Sequence, residues 1–230
     1  MEPAIFDFIS QSPMQRVTAR AVLDKGMAEV LRFTGDALLL RMQAEPLHIL
    51  CADTDQAALQ ILDDVEDCVL MVNERTGADE AIMQRFGFKE RELCYNVVYP
   101  HHTPIPFETE VYLDFIPLSR LERVVENYTL ISPEKVEAHI RDGSMLGGYL
   151  GKEMVGFIGQ HTEQSMGMLY IFPQYRRKHY GYTLEALLIN RILARGDVPY
   201  AQIYIDNHAS LALQKKLGMR RSEDVVSWMY

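Results

Sequence analysis

LYIFPQYRRKHYGYTLEALL, residues Leu169 to Leu188, decides how this chain is read. Leu169 to Phe172 is a short apolar run of strand type, Pro173 marks its exit, and Tyr175 to Gly181 is a basic turn holding one glycine. Beyond it, Leu184, Leu187, Leu188 and Ile192 fall at helical spacing, which predicts a helix over Thr183 to Arg195 stopped by Gly196. A strand that runs into a helix N-terminus leaves backbone N–H groups unpaired at one spot, where the helix dipole is positive. Such a spot suits a phosphate or diphosphate. Arg176, Arg177 and Lys178 add three cations there, in a chain whose formal net charge is -9. The blander alternative is a solvated basic turn, since short motifs have many look-alikes.

A second segment narrows the choice. Ala201 to Asp206, AQIYID, alternates like a strand, and NHASLALQKKLG, Asn207 to Gly218, follows as a helix. Asn207 is placed to cap that helix and Gly218 to stop it in a left-handed conformation. Val225 to Tyr230 then reads as a closing strand.

Tyr175-Arg176-Arg177-Lys178-His179-Tyr180-Gly181 resembles the acyl-CoA diphosphate loop of the GNAT N-acyltransferase superfamily, whose pattern is Gln/Arg-x-x-Gly-x-Gly/Ala. Arg176 fills the first position and Gly181 the last, while His179 stands where the middle glycine is usual. A histidine there can take a helical backbone with its side chain outward. The later segment resembles the superfamily's Asn-x-x-Ala/Ser-x-x-Leu-Tyr-x-Lys-Leu-Gly-Phe ending, matched by Asn207, Ser210, Leu213, Lys216, Leu217 and Gly218, with Met219 for the Phe. The resemblance covers roughly residues 107 to 230. It implies an α/β fold around a mixed sheet and acetyl-CoA or another acyl-CoA as co-substrate, with no metal. It further implies that Leu169, Tyr170, Ile171 and Phe172 carry the pantetheine along a splayed strand edge. The amides of Arg177 to Tyr182, through Lys178, His179, Tyr180 and Gly181, would hold the diphosphate. Arg176, Arg177 and Lys178 would meet its charge, and Asn207 would touch the pantetheine arm or serve only as a cap.

Proton handling is not assigned by this pattern. The superfamily's usual acid, a Tyr four residues before the glycine ending the second helix, corresponds to Gln214, which cannot protonate a thiolate. Gly167 and Met168 occupy the neighbourhood where a carboxylate base is common. Glu163 or His161 as base, and Tyr180, Tyr182 or Tyr204 as acid, are the substitutes within reach, each more often surface or core than catalytic.

The rest of the second half fits the same order. Val111 to Ile116 reads as a strand. Ser132-Pro133-Glu134 starts a helix that Gly143 ends, and Met145 to Leu150 with Met154 to His161 makes a hairpin around Gly151-Lys152-Glu153. Ser165 to Phe172 supplies the next strand.

Pro100 to Pro106, PHHTPIP, holds three prolines in seven residues and predicts a linker. His101 and His102 there read as surface rather than metal ligands. Residues 1–100 then form a first domain, 101–106 the linker, and 107–230 the acyltransferase domain. Gly87 and Gly218 are 131 residues apart, as are Tyr99 and Tyr230, Ala81 and Ala212, and Glu92 and Glu223. Both halves run strand (Cys68 to Val72 in the first), helix, glycine, strand, which suggests a duplicated half, with chance likeness as the competing reading. The first half has no basic glycine turn. Cys51-Ala-Asp-Thr-Asp-Gln56 offers acid where phosphate would sit, so no CoA site is expected in this degenerate half. A degenerate half ahead of an active one is similar to the glycine N-acyltransferase-like branch of the superfamily.

Composition supports a globular, cytoplasmic enzyme: 48% hydrophobic and 24% charged residues, with no apolar run of membrane-spanning length. Cys51, Cys68 and Cys94 are odd in number and widely spaced, which fits reduced core thiols. The pI near 5.3 argues against nucleic acid or an anionic membrane as partner, and the resemblance to the superfamily implies a small-molecule amine or amino acid as acceptor. Direct transfer in a ternary complex is the expected reaction, and a catalytically weak CoA-binding sensor is the alternative. Oligomeric state is not legible.

Overall fold

The computed structural model describes residues 1–230. Helices α1 (Pro3–Gln11) and α2 (Val17–Asp24) lead into strands β1 (Ala28–Phe33), β2 (Ala37–Met42) and β3 (Leu47–Ala52). There follow α3 (Asp55–Gln60), β4 (Leu70–Asn73), α4 (Asp79–Phe86) and β5 (Arg91–Val98). The second half runs β6 (Val111–Phe115), α5 (Leu121–Val125), α6 (Pro133–Asp142), β7 (Met145–Leu150) and β8 (Glu153–Gln160). It closes with β9 (Met166–Ile171), α7 (Tyr180–Ala194), β10 (Tyr200–Tyr204), α8 (His208–Lys216) and β11 (Arg220–Met229). All eleven strands join one mixed sheet in the order β1-β2-β3-β4-β11-β5-β10-β9-β8-β7-β6. No helix is long and apolar enough to cross a membrane.

The middle of that order is an exchange. β5, from the first half, lies between β10 and β11 of the second, antiparallel to both. β11, from the second half, lies between β4 and β5 of the first. The 131-residue spacing makes Cys94 equivalent to Val225 and Tyr95 to Val226. The observed pairs are Cys94 with Val226 and Tyr95 with Val225, which convert into one another under that equivalence. Gly87 and Gly218 match as well, both left-handed at φ 73 and 80, where glycine avoids the clash that a Cβ brings. The closing strand begins at Arg220, earlier than the apolar run from Val225 suggests. Its register shifts between Arg221 and Val225, and Ser222 Oγ donates to the carbonyl of Asp224 at 2.6 Å inside that bulge. A charged run across a bulge hides strand periodicity.

Helices cover both faces. α1 and α2 bury Ile5, Phe8, Ile9, Ala19 and Val22 against Leu38, Leu40, Leu47 and Ile49. α3 and α4 cover Leu39, Leu50 and Met71 on the other face. In the second half α7 buries Leu184, Leu188, Ile189 and Ile192 against Val155, Ile158, Ala201 and Ile203. Opposite it, Val124, Val136 and Ile140 of α5 and α6 meet Met145, Met154 and Phe157. Ser132 caps α6 by accepting from Lys135 N at 3.4 Å, and left-handed Gly143 ends it. α7 lies close on the sheet because β7 carries Gly148 under it: a Cβ there would stand 2.7 Å from Leu184 Cδ1. Residues 100–106 form no helix or strand, yet Ile105 is buried and clasped by Asn190 of α7, which accepts from its N–H at 2.7 Å and donates to its carbonyl at 3.0 Å. Cys51, Cys68 and Cys94 are buried and unpaired.

Candidate functional site

The site begins where two strands part. β9 and β10 are parallel neighbours, but they pair only at Met166 and Ala201. Against β8, β9 carries one extra residue between Gly167 and Tyr170, and Met168 within that bulge has φ 53. A bulge re-aims a strand and increases its twist. The edge of β9 beyond Met166 therefore faces a cleft instead of a strand.

At the end of β9 a 3-10 turn, Pro173–Tyr175, leads into the basic loop. Arg177 and His179 are both left-handed, at φ 58 and 63. The left-handed His179 corrects the expectation of a helical backbone there. α7 starts at Tyr180, one turn ahead of the apolar stripe, with no side chain capping it. A left-handed residue followed by a helical one turns consecutive N–H groups into a concave nest for an anion. The bonding pattern agrees. Arg176 N donates to the carbonyl of Pro173 at 3.3 Å and Thr183 N to that of His179 at 3.0 Å, while the six amides between them, Arg177 to Tyr182, have no partner in the protein. They edge a pocket of about 710 Å3 lined by Ile171, Tyr175, Arg176, Arg177, His179, Tyr180, Gly181, Tyr182, Leu213 and Lys216.

The four loop and helix cations divide unevenly. Arg177 and Lys216 line the pocket. Arg176 lines it too, but its Nε donates to the carbonyl of Ile171 at 2.9 Å and its guanidinium lies 5.3 Å over Tyr170, so it also braces the strand exit. Lys178 is not part of the lining and sits 5.9 Å over the Tyr175 ring. Lys216 comes from α8 and escaped the sequence reading as a binding residue. Its place beside Leu213, Leu217 and Gly218 in the second motif was the available signal. Gly181 is not forced by sterics: a Cβ there would meet only Leu213, at 3.8 Å, and Ile171 and Leu169, both at 4.0 Å.

Of the strand residues, Leu169 lines the cleft and Ile171 the diphosphate-sized pocket. Tyr170 stacks on Phe157, with centroids 5.5 Å apart. Phe172 is buried in the α5–α6 core with Arg123 3.8 Å over its ring, and its N–H is spent on Val155. Asn207 lines the cleft and caps α8, Oδ1 accepting from Ser210 N at 3.1 Å, which leaves Nδ2 without a protein partner.

The cleft itself, about 580 Å3, shares Leu213 with the first pocket. His161, Glu163, Met168 and Gln214 line it, and the first half supplies a wall of Glu45, Leu70, Glu92 and Cys94, with Trp228 and Tyr230 from the β11 end. The proposed bases His161 and Glu163 are thus both present. Tyr180 and Tyr182 lie at the other pocket, and Tyr204 donates its hydroxyl to Glu92 at 2.8 Å, its phenol pushed up by burial and by that carboxylate. Sequence reasoning missed Glu185. It is buried on α7, accepts from Gln214 Nε2 at 2.5 Å, and is pushed up to about 8, mainly by desolvation. Its spacing to Leu188, Ile189 and Ile192 is that of one helical face, which could have flagged it.

Strands that splay beside a basic nest at the head of a helix are the arrangement that the GNAT resemblance implies. The comparisons carry that further. Residues 145–229 match the family model described as FR47-like protein. A Drosophila protein of known structure is 16% identical with a TM-score of 0.62, covering 94% of this chain and 86% of its own. A GNAT-family protein from Novosphingobium aromaticivorans gives 13% identity, a TM-score of 0.57 and coverage of 94% and 96%. A GCN5-related N-acetyltransferase from Sphaerobacter thermophilus gives 13%, 0.54, and coverage of 99% and 91%. At these identities the likeness is one of fold. No curated protein sequence matches the chain at a significant level.

Proposed function

We propose that the chain is an acyl-CoA-dependent N-acyltransferase that moves an acetyl or other acyl group to the amine of a small molecule. The observation that carries this reading is the run of six unpartnered amides from Arg177 to Tyr182 at the head of α7, opening beside a splayed cleft. Unsatisfied N–H groups at a positive helix end fit a diphosphate. Arg177 and Lys216 supply the charge, and the unpaired edge of β9 from Met168 to Ile171 supplies hydrogen-bonding groups for a pantetheine arm.

The thioester would then rest near the Met168 bulge, with the amine entering from the cleft. The amine lone pair attacks the carbonyl carbon, the C–S bond breaks, and the proton lost by nitrogen ends on the departing thiolate. Much of the acceleration can come from holding the two reactants in line and from main-chain dipoles at the oxyanion. His161 and Glu163 line the same cleft and are the candidates to take the amine's proton. We read the first half as a related but degenerate unit that provides a wall of the cleft and binds no CoA.

A second reading, a CoA-binding module without efficient turnover, is favoured by Gln214 at the usual position of the acid. Thiol release with acetyl- and longer acyl-CoAs across a panel of amines separates the two. Turnover above hydrolysis supports the transferase. Saturable thermal stabilisation by CoA with no turnover leaves the binding module.

A further inference from the structure

Glu185 breaks the pattern of the helix face on which it stands. Leu188, Ile189 and Ile192 share that face and belong to the core, and Glu185 is only 5% exposed among them. A buried carboxylate ordinarily has a cation beside it. Glu185 forms no ion pair, and its one hydrogen bond is the one it accepts from Gln214 Nε2. Burial pushes its carboxyl up, and the Gln214 bond opposes that only in part. His161, Glu163, Glu92 and Tyr204 of the cleft and Lys215 and Lys216 of α8 make no bond with it. At neutral pH it is therefore an uncharged acid holding its proton.

Its placement is a separate observation. Glu185 lines the cleft together with Leu169, Ala201, Ile203 and Leu213, where β9 and β10 part. Its partner Gln214 stands at the position where the second motif puts an acid, and an amide cannot fill that role. Gln214 does two other things for the carboxyl. Its Nε2 fixes one oxygen of Glu185, and its buried Oε1, without a partner of its own, is open to the acid's hydroxyl at rest. Tyr128, also in the lining, is pushed up to about 12 by burial and holds its proton too tightly to match a thiolate.

We propose that Glu185 is the general acid of the transfer, passing its carboxyl proton to the CoA sulfur as the thioester breaks, with Gln214 as the residue that positions it. This rests on the acyltransferase reading. The amine nitrogen forms the C–N bond, and the tetrahedral adduct collapses with the electron pair of the C–S bond going to sulfur. Sulfur takes the Glu185 proton and leaves as the thiol. The carboxylate left behind keeps the Gln214 N–H and recovers a proton from solvent, in balance with the one that the amine gives up. No further reactant is needed.

The test follows thiol release from acetyl-CoA with the amine that the panel selects. Glu185→Gln exchanges an uncharged carboxyl for an uncharged amide of the same shape, so the fold and the CoA site should persist. The expected result is a kcat about 100-fold lower, with CoA affinity by calorimetry unchanged within about twofold. The wild-type kcat should decline above about pH 8, where Glu185 loses its proton, and the variant should lack that decline. Adding Gln214→Tyr to Glu185→Gln returns an acid to the motif position and should regain about tenfold. A kcat and pH profile that Glu185→Gln leaves unchanged overturn the proposal while the acyltransferase reading stands. So does a fall in kcat matched by an equal loss of CoA affinity, which marks a structural role. If the variant does not fold, the wild-type profile decides, and a kcat that holds steady above about pH 8 overturns the proposal. No turnover by the wild type with any amine removes the acyltransferase reading and the proposal together.

Discussion

β3 and β4 meet in parallel at four residue pairs, from Leu47 with Leu70 to Leu50 with Asn73, and stay together. β9 and β10 are the same kind of neighbours and touch at one pair. The helices that follow differ in the same sense. α3 begins under Thr54, whose hydroxyl accepts from Ala57 N at 3.0 Å, and its first turn carries Asp55. α7 begins under left-handed His179 with no side-chain cap, among cations. In one half the parallel strands stay paired and the helix is capped. The other has left backbone groups open at the point where a ligand would be held.

The open state carries a cost in conformation. All four non-glycine residues with positive φ, namely Gln164, Met168, Arg177 and His179, lie in the second half, and the last three flank the cleft and the loop. Left-handed backbone at such residues costs about 1–2 kcal/mol each. Strain of this kind collects at binding sites, where the surroundings enforce it. The first half has no such residue, and it places β5 between β10 and β11.

The largest expected effect comes from giving the open half the acid of the closed one. Gly181→Asp sets a carboxylate among the free amides, and CoA affinity should fall about 1000-fold, or about 4 kcal/mol, in a calorimetric titration. Thermal stability should hold or rise, because an acid in the first turn suits the helix dipole. Next is Glu185. Below the ordinary carboxylate range both folded and unfolded chains hold its proton; between that range and about 8 only the folded chain does. Stability should therefore fall as pH rises across that window. Glu74, buried and also pushed up to about 8, adds a slope of the same sign. Glu185→Gln should thus remove on the order of 2 kcal/mol of the loss between about pH 5 and about pH 8, by urea unfolding. Lys216→Ala should weaken CoA about tenfold, about 1.4 kcal/mol, and flatten its salt dependence. Smallest is Thr54→Ala, which uncaps the closed half: about 1 kcal/mol of stability lost and CoA affinity unchanged. If that variant acquired CoA binding, capping would be the whole difference between the halves.

Much of this contrast was legible in residues. The basic turn after an apolar strand, the missing basic turn in the first half and the Ser132 cap are local signals, which survive in a single sequence, and the 131-residue spacing is a repeat legible by comparing the sequence with itself. What stayed hidden was non-local. Nothing in Arg91–Val98 or Arg220–Met229 says that each strand inserts into the other half, because register is set by the partner. The splay is an absence of pairing, and an absence leaves no pattern. Glu185 was masked by its neighbours: the stripe of Leu184, Leu187 and Leu188 reads as plain core, although burial makes the acid beside them part of the cleft floor. Lys178, a cation in the same motif, sits over Tyr175 and is not among the residues lining the pocket.

The most direct test is a crystal structure of the protein with acetyl-CoA. The account predicts diphosphate oxygens about 3 Å from amide nitrogens between Arg177 and Tyr182, with the thioester in the cleft between β9 and β10. A nucleotide bound elsewhere, or crystals that take up none at saturating concentration, would contradict it.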